Sequence, residues 1–364
     1  MRLMRAFFFA ACLFCSPCIC QQSTALRTVG ELPDEALEVE FISAAVGWCR
    51  TTGGLYRTGN GGTTWALVQP PPRDGYDHLW QFQFIDSLTG WVRTVLDPLY
   101  WTADGGLTWT EGRLPIMSSR GSGPRGLVED VRFTSSKTGW VLALREVPGD
   151  PSKESIRYRI AGEHTVYIPA LFRTDNGGRT WTQQRYPDLK GVPDRRDFAD
   201  VDHGISIELN QTLFTSDGGE NWHKSRYCSS VNIKNLREAS LGSGTFEATA
   251  AQLLDAHYGW WSVEGDTFRT ADGGATWCPS PPIRWQGRVL RLHDIRFANR
   301  NLGWAIPTIS EQWPQLTPCF QTHDGGETWA SIVAPPGTRI EGISVPKDGP
   351  VYFWGYKHLF ALSR

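Results

Sequence analysis

Apolar and polar residues alternate with a period of two in short segments that recur along nearly the whole chain. Residues 81–84 (QFQF) and 294–297 (DIRF) are two examples, and such alternation is typical of a strand with one buried face. Each segment runs into the motif [FL]-x-[DSN]-x-x-x-G-[WI], which turns the chain and opens a second strand. Copies lie at 41–48, 84–91, 133–140, 198–205, 253–260 and 297–304, with a degenerate seventh at 343–350.

A second motif, the octapeptide T-x-[DN]-G-G-x-[TN]-W, follows the first six of these copies. It occupies 58–65, 102–109, 174–181, 215–222, 270–277 and 322–329. Its third residue should accept backbone N–H groups, and its glycine pair should adopt positive φ, so the octapeptide is expected to be a turn. The third residues are Asn60, Asp104, Asn176, Asp217, Asp272 and Asp324. Two asparagines and no second carboxylate at fixed spacing argue against a calcium loop, so we expect no metal here.

A short strand precedes each octapeptide and another follows it, so each unit is predicted to be a four-stranded antiparallel meander. That unit is a propeller blade. Seven units give an all-β, seven-bladed β-propeller over residues 21–364. The seventh unit stops before its fourth strand, and residues 24–29 (TALRTV) are expected to supply it. Pairing of the two ends would close the ring and remove its exposed edges.

Composition follows from this architecture. The 364 residues include 38 Gly and 17 Trp, and eleven of these Trp fall in the two motifs, where they are expected to form blade cores. The net charge of −2 argues against a nucleic-acid-binding protein. No apolar run after the first twenty residues is long enough to span a bilayer.

Residues 1–20 have the pattern of a secretory signal. Arg2 and Arg5 precede the apolar stretch 6–14, and polar sequence begins at residue 21. We expect cleavage near Cys20; the alternative is a lipoprotein anchored at Cys12. Either route exports the chain, which would be periplasmic or secreted.

Four cysteines remain after this segment: Cys49, Cys228, Cys278 and Cys319. In an exported chain they permit two disulfides with three possible connectivities. Buried free thiols are the alternative. Their spacing matches no zinc pattern, and no cofactor is expected.

The octapeptide resembles the Asp-box, or BNR, repeat, and its pairing with the upstream G-W motif is similar to the photosystem II stability/assembly factor family of seven-bladed propellers. The resemblance covers residues 24–364. It implies an extracytoplasmic binding or assembly protein, and it does not imply photosynthesis for this chain. Asp-boxes also occur in sialidases, xyloglucan-cleaving glycosidases and sorting receptors, so the resemblance is specific for fold and weak for function.

Function is expected at one end of the ring. The octapeptides and the first-to-second strand turns are short and uniform, and should share the end we call the octapeptide end. Second-to-third strand turns and links between blades vary in length and should share the other, the loop end, where binding loops are expected. Candidate partner-binding residues there are Arg157, Arg159, Arg195, Arg196, Arg284, Trp285, Arg288, Arg291 and Trp313. The alternative is that these arginines are merely solvated and that the tryptophans cap blade edges.

The first strands should line the central channel with residues of mixed charge. They carry Glu38, Glu40, Gln81, Gln83, Asp130, Arg132, Arg195, Asp197, Asp294 and Arg296. These predict either a polar ring whose members satisfy one another or a polar pocket at the axis.

The sequence favours a monomeric, non-catalytic propeller that docks a protein or peptide partner, such as a component of an envelope complex. The alternative is a sialidase-like or xyloglucanase-like glycosidase acting at the axis. A sialidase needs an arginine triad and an early Arg-Ile-Pro motif, which this chain matches poorly, and a xyloglucanase cleft is usually built between two propellers.

Overall fold

The computed structural model describes residues 25–68, 79–94, 99–112, 114, 126–147, 166–186, 195–208, 211–228, 248–308 and 318–363. All regular secondary structure in these ranges is β, in seven four-stranded antiparallel blades that form a propeller ring. The fold class predicted from the sequence is confirmed. Residues 1–20 lie outside the described ranges, so the signal segment stays a prediction.

The ring closes as the sequence predicts. Strand β1 (Arg27–Glu31) pairs with β31 (His358–Leu362), the third strand of the seventh blade. The other members of that blade are β29 (Gly342–Ser344) and β30 (Val351–Gly355). The closing strand thus begins later than the predicted 24–29, and it makes the first and last parts of the chain one sheet.

The remaining blades follow in chain order, innermost strand first. Blade 1 holds β2 (Ala36–Phe41), β3 (Gly47–Thr51), β4 (Gly54–Thr58) and β5 (Ala66–Leu67). Blade 2 holds β6 (Leu79–Phe84), β7 (Gly90–Thr94), β8 (Leu99–Thr102) and β9 (Thr110–Gly112). Blade 3 holds β10 (Gly126–Phe133), β11 (Gly139–Val147), β12 (Val166–Thr174) and β13 (Thr182–Gln183).

Blade 4 holds β14 (Arg195–Phe198), β15 (Gly204–Glu208), β16 (Gln211–Thr215) and β17 (His223–Lys224). Blade 5 has an added outer strand, β18 (Arg226–Tyr227), beside β19 (Ala248–Leu253), β20 (Gly259–Val263), β21 (Asp266–Thr270) and β22 (Thr276–Ser280). A hairpin of β23 (Arg284–Trp285) and β24 (Arg288–Val289) precedes blade 6. Blade 6 holds β25 (Leu292–Phe297), β26 (Gly303–Pro307), β27 (Cys319–Thr322) and β28 (Ala330–Ile332).

Stacked aromatic pairs join neighbouring blades. The G-W indole of one blade lies flat on the phenylalanine that ends the innermost strand of the next. Ring centroids are 3.5–3.9 Å apart in Trp48–Phe84, Trp91–Phe133, Trp140–Phe198 and Trp260–Phe297. Both members of each pair are buried. The motif that ends the innermost strand therefore also supplies the aromatic residues that pack between neighbouring blades.

Blade 7 corrects one detail of the sequence reading. Tyr352 pairs with Ser344 in the sheet as Trp48 pairs with Glu40 in blade 1, and its ring stacks on Phe41 at 3.7 Å. Tyr352 thus takes the place of the G-W tryptophan. The degenerate copy predicted at 343–350 was wrong by two residues, because a tyrosine preceded by valine does not match the Gly-Trp pair.

One disulfide is present among the described cysteines. Cys228 and Cys278 are bonded, which fastens β18 alongside β22, with which it pairs in parallel. Cys49 is a buried free thiol, and Cys319 is buried as well. They lie in blades 1 and 6, so each packs in a separate interblade core, and both alternatives left open by the sequence occur in one molecule.

Candidate binding face and central channel

The octapeptides form closed turns held by side-chain hydrogen bonds. In blade 2 the Gly106 N–H donates to Thr102 Oγ1 at 2.9 Å, and the Thr108 N–H donates to Asp104 Oδ1 at 2.9 Å. The glycine pair has positive φ, +76° at Gly105 and +96° at Gly106. The Thr108 hydroxyl also donates to Asp104 Oδ2 at 2.6 Å, and together with the Thr108 N–H it lowers the pKa of Asp104 to about 2, the hydroxyl contributing most. The six Asp and Asn residues at this position thus serve the turn.

Each octapeptide is also bonded to the first turn of its own blade. Its first glycine N–H donates to a carbonyl of that turn at 2.7–2.9 Å in all six blades: Gly61 to Ala45, Gly105 to Leu88, Gly177 to Lys137, Gly218 to Asp202, Gly273 to His257 and Gly325 to Asn301. This places both kinds of turn at one end of the ring. The links and the second-to-third strand turns consequently share the loop end.

Four of the candidate residues lie together on the link between blades 5 and 6. Arg284, Trp285 and Arg288 belong to the hairpin β23–β24, and Arg291 follows it. The arginines are exposed, while Trp285 is half-buried and meets the ring of Phe320 edge-on at 5.9 Å. Arg291 forms an ion pair with Glu264 in the nearby turn of blade 5. Trp285 thus caps blade 6, and the arginine side chains are accessible from solvent.

The other described candidates belong to blade 4 and lie at the channel. Arg195 is exposed. Arg196 is buried, with 7% of its side chain exposed and its guanidinium 3.7 Å from Asp130. Its position in the innermost strand is held by Val39 and Ile295 in blades 1 and 6, so Arg196 replaces an apolar core residue. Arg157, Arg159 and Trp313 lie outside the described residues.

The loop end also carries apolar residues that the sequence analysis missed. Tyr356 is 52% exposed and Leu37 is 44% exposed, and the two are linked because Ala36, next to Leu37, donates its N–H to Tyr356 O. Tyr356 has a φ of +48°, the left-handed region that a bulky residue rarely adopts. The two-residue turn Tyr356-Lys357 was the available signal, since a hairpin turn of that length favours glycine or asparagine.

The central channel has a volume of about 550 Å³ and is lined by polar side chains of the innermost strands. A β-bulge near the start of five of these strands shifts their register, at residues 36–38, 79–81, 128–130, 248–250 and 292–294. Bulges re-aim neighbouring side chains, and the bulged residues Leu37 and His293 line the channel.

Channel side chains bond to one another and to the next blade. Arg132 Nε lies 3.0 Å from Asp197 Oδ1, and the Leu253 N–H donates to Asp197 Oδ2 at 2.8 Å. Gln81 Nε2 donates to Asp130 at 3.1 Å. The mixed-charge ring expected from the sequence therefore links blades, within a channel that is open to solvent.

Within the described residues, no helix is long and apolar enough to cross a membrane. No group of three or more His, Cys, Asp or Glu side chains in the same ranges is arranged to hold a metal ion.

Comparison with protein-family models and with curated protein sequences gives no match. Solved structures do match. The structure of YCF48 bound to D1 peptide is 15% identical, with a TM-score of 0.61 over 94% of this chain and 97% of that one. YCF48 from Cyanidioschyzon merolae is 17% identical, with a TM-score of 0.58 over 93% and 98%.

A third match is the extracellular domain of the putative hybrid two component system BT4673 from B. thetaiotaomicron. It is 10% identical, with a TM-score of 0.58 over 94% of this chain and 40% of that one. Glycosidases of family GH74 match at a TM-score of only 0.38, which is too low to bear on function. At these identities the likeness concerns the fold, and the chain has the propeller fold found in YCF48.

Proposed function

We propose that this chain is a non-catalytic, extracytoplasmic binding propeller of the Asp-box type that docks a protein or peptide partner at its loop end. The observation that carries the proposal is Tyr356, an exposed aromatic held at positive φ. Such strain persists where the surrounding structure imposes it, and it concentrates at functional sites. Exposed tyrosine and arginine are also the residues that dominate binding energy at interfaces.

The exposed arginines of the hairpin suit a partner with carboxylate groups, because guanidinium binds carboxylate with two parallel hydrogen bonds. Arg284 donates to Gly287 O at 3.4 Å, a long bond that a stronger acceptor can replace. YCF48, whose fold this chain shares, has been solved with a bound peptide. An acidic peptide segment is accordingly the partner chemistry we favour. The Cys228–Cys278 disulfide is consistent with an exported protein, since disulfides persist in oxidising compartments.

The test is a comparison of charge reversals at the two ends. R284E/R288E should lose, by tenfold or more, the partner that wild type captures from native envelope extract. The matched control is K137E/R300E, which changes the charge equally at two exposed residues of the octapeptide end and should retain capture. Equal loss in both variants would mean a nonspecific charge effect, and retention in both would exclude the hairpin.

Tyr356→Gly gives an independent readout. Glycine adopts positive φ without a Cβ penalty, so the variant should be up to about 1 kcal/mol more stable while it binds the captured partner more weakly. A binding loss together with raised stability in thermal unfolding separates a contact from a folding role. Unchanged affinity would remove Tyr356 from the interface.

The glycosidase alternative rests on the channel carboxylates, among which Glu40 has its pKa raised to about 7 by burial and by Glu38. A raised carboxyl pKa is typical of a general acid. The acidic neighbours of Glu40 already form ion pairs, however. Glu38 pairs with Arg50 and Asp294 pairs with Arg296, each at 3.3 Å. We expect no turnover of sialyl or β-glucan substrates. Turnover that Glu40→Gln abolishes would favour the glycosidase instead.

A further inference from the structure

The residue before the end of each innermost strand occupies the seam between two blades. In blades 2 and 5 this residue is glutamine, and its amide makes two hydrogen bonds to the backbone of the next blade. The Phe133 N–H donates to Gln83 Oε1 at 2.7 Å, and Gln83 Nε2 donates to Phe133 O at 2.8 Å. Gln252 bonds to the N–H and C=O of Phe297 in the same way, at 2.6 and 3.2 Å. The amide thus pairs with the backbone like one more residue of a sheet.

Glu40 has the same register in blade 1. It immediately precedes Phe41 as Gln83 precedes Phe84, and it pairs with Trp48 as Gln83 pairs with Trp91. The Phe84 N–H faces the Glu40 carboxyl group and acts to lower its pKa, as a hydrogen-bond donor does. An ionised carboxylate can only accept hydrogen bonds, whereas a protonated carboxyl has one donor and one acceptor, like the glutamine amide.

We propose that Glu40 is a proton-dependent latch between blades 1 and 2. When protonated it pairs with both the N–H and the C=O of Phe84, and when ionised it keeps only the N–H. The proton comes from solvent through the open channel. Blade 1 adjoins the closure of the ring, so the state of this seam bears on the stability of the whole propeller.

The surroundings of Glu40 favour the neutral form. Burial and the neighbouring Glu38 raise its pKa to about 7 from 4.5, against the opposing effects of Arg132, Arg296 and the Phe84 N–H. Glu38 is itself paired with Arg50 at 3.3 Å, while Arg132 is paired with Asp197 and Arg296 with Asp294. The remaining charged or titratable channel residues are Asp130, Arg195, Arg196, His293 and Glu341.

The sign of the effect follows from linkage. A carboxyl whose pKa is higher in the folded state makes the folded protein bind its proton more tightly. Its contribution to stability is therefore complete below pH 4.5, the unfolded value, and is lost as the pH rises through about 7. This direction is opposite to that of the octapeptide aspartates.

The experiment compares the melting temperatures of wild type, Glu40→Gln and Gln83→Glu from about pH 5 to about pH 8.5. The readout is the difference between each variant and wild type, because that difference cancels the effect of every group the two proteins share. Glu40→Gln should match wild type at the acid end and melt several degrees higher at the alkaline end. Gln83→Glu should match wild type at the acid end and melt lower at the alkaline end, because it creates a second such latch.

Infrared spectroscopy gives a direct readout of the same group. Wild type should lose a protonated-carboxyl band between about pH 5 and about pH 8.5, and Glu40→Gln should not show that loss. Parallel melting curves for wild type and Glu40→Gln would overturn the proposal, as would an infrared band unaffected by the substitution. If Glu40→Gln did not fold, a pH-independent effect of Gln83→Glu would overturn it equally.

Discussion

The two ends of the ring are built from the same strands but differ in how their connections are held. At the octapeptide end six blades repeat one hydrogen-bond pattern. Some indoles also bond across to the next blade, as Trp140 Nε1 does to Gly218 O at 2.8 Å. At the loop end the described connections differ in length and are held by separate ion pairs, such as Arg339–Glu341 and Lys357–Asp34, both at 3.1 Å. The connections at the octapeptide end share one structure, whereas the connections at the loop end differ from blade to blade.

This difference explains why the sequence repeats are concentrated at one end of the ring. A turn that must bond to its own blade and to the next tolerates little change, so its residues recur in the sequence. A loop held by individual contacts, without a repeated pattern, can change its composition without loosening the ring. Substitutions at the two ends of the ring should therefore differ in how much they lower the stability of the protein.

The largest effect is expected from the stacked tryptophans. Trp140→Ala removes a buried indole that stacks on Phe198 at 3.9 Å and bonds to Gly218, so it should cost about 3–5 kcal/mol. Trp285→Ala at the loop end removes a half-buried ring that packs on the edge of a core cluster, and it should cost roughly a third of that. Denaturant unfolding of both variants measures the ratio. Similar losses would show that the loop end is as firmly built as the octapeptide end.

The repeated part of this architecture could be predicted from the sequence, because each structural position in a blade is filled by the same type of residue in most blades. The alternation of apolar and polar residues predicted the innermost strands, and the Gly-Trp pairs predicted the second strands. The Asp-Gly-Gly turns predicted the connection between the third and fourth strands. The unusual parts left no such signal. Tyr352 replaces a tryptophan at the ring closure, and its stacking on Phe41 depends on residues 311 positions apart, which no local pattern encodes.

The candidate binding face was predicted less completely, for a physical reason. Arginine is selected both for contacts with a partner and for holding blades together, and its sequence neighbours do not distinguish the two. The Arg196 side chain in blade 4 is buried beside Asp130, while Arg284 on the link between blades 5 and 6 is exposed. Tyr356 was not among the sequence-based candidates, because the two-residue turn indicates a positive φ but not how exposed the ring is.

A middle-sized effect is expected from the disulfide. Cys228→Ser/Cys278→Ser opens a covalent loop of 50 residues and releases β18 from blade 5, so it should cost about 2–4 kcal/mol. Loss of stability should be accompanied by faster proteolysis near residues 226–228. Cys49→Ser and Cys319→Ser provide the contrast, because neither cysteine belongs to the Cys228–Cys278 disulfide. Burial raises the pKa of both thiols, that of Cys49 to about 12. In wild type a thiol reagent should therefore reach neither cysteine until the protein unfolds.

The smallest effect tests the octapeptide turn itself. Asp104→Ala removes acceptors for the Thr108 N–H and hydroxyl and should cost about 1 kcal/mol, as the loss of a helix cap does. Asp104→Asn should cost less, because Asn60 and Asn176 hold equivalent turns with an amide that donates to the threonine hydroxyl at 2.7–2.8 Å.

The pH dependence of these two variants distinguishes the charge from the hydrogen bonds. The pKa of Asp104 falls to about 2 from 3.8, so its contribution is present above pH 3.8 and is lost as the pH falls through 2. Wild type and Asp104→Asn should therefore converge in stability at about pH 2, while Asp104→Ala and Asp104→Asn should keep a constant gap at every pH. A wild-type advantage over Asp104→Asn that persists at about pH 2 would mean that geometry, and not ionisation, sets the preference for aspartate in four of the six turns.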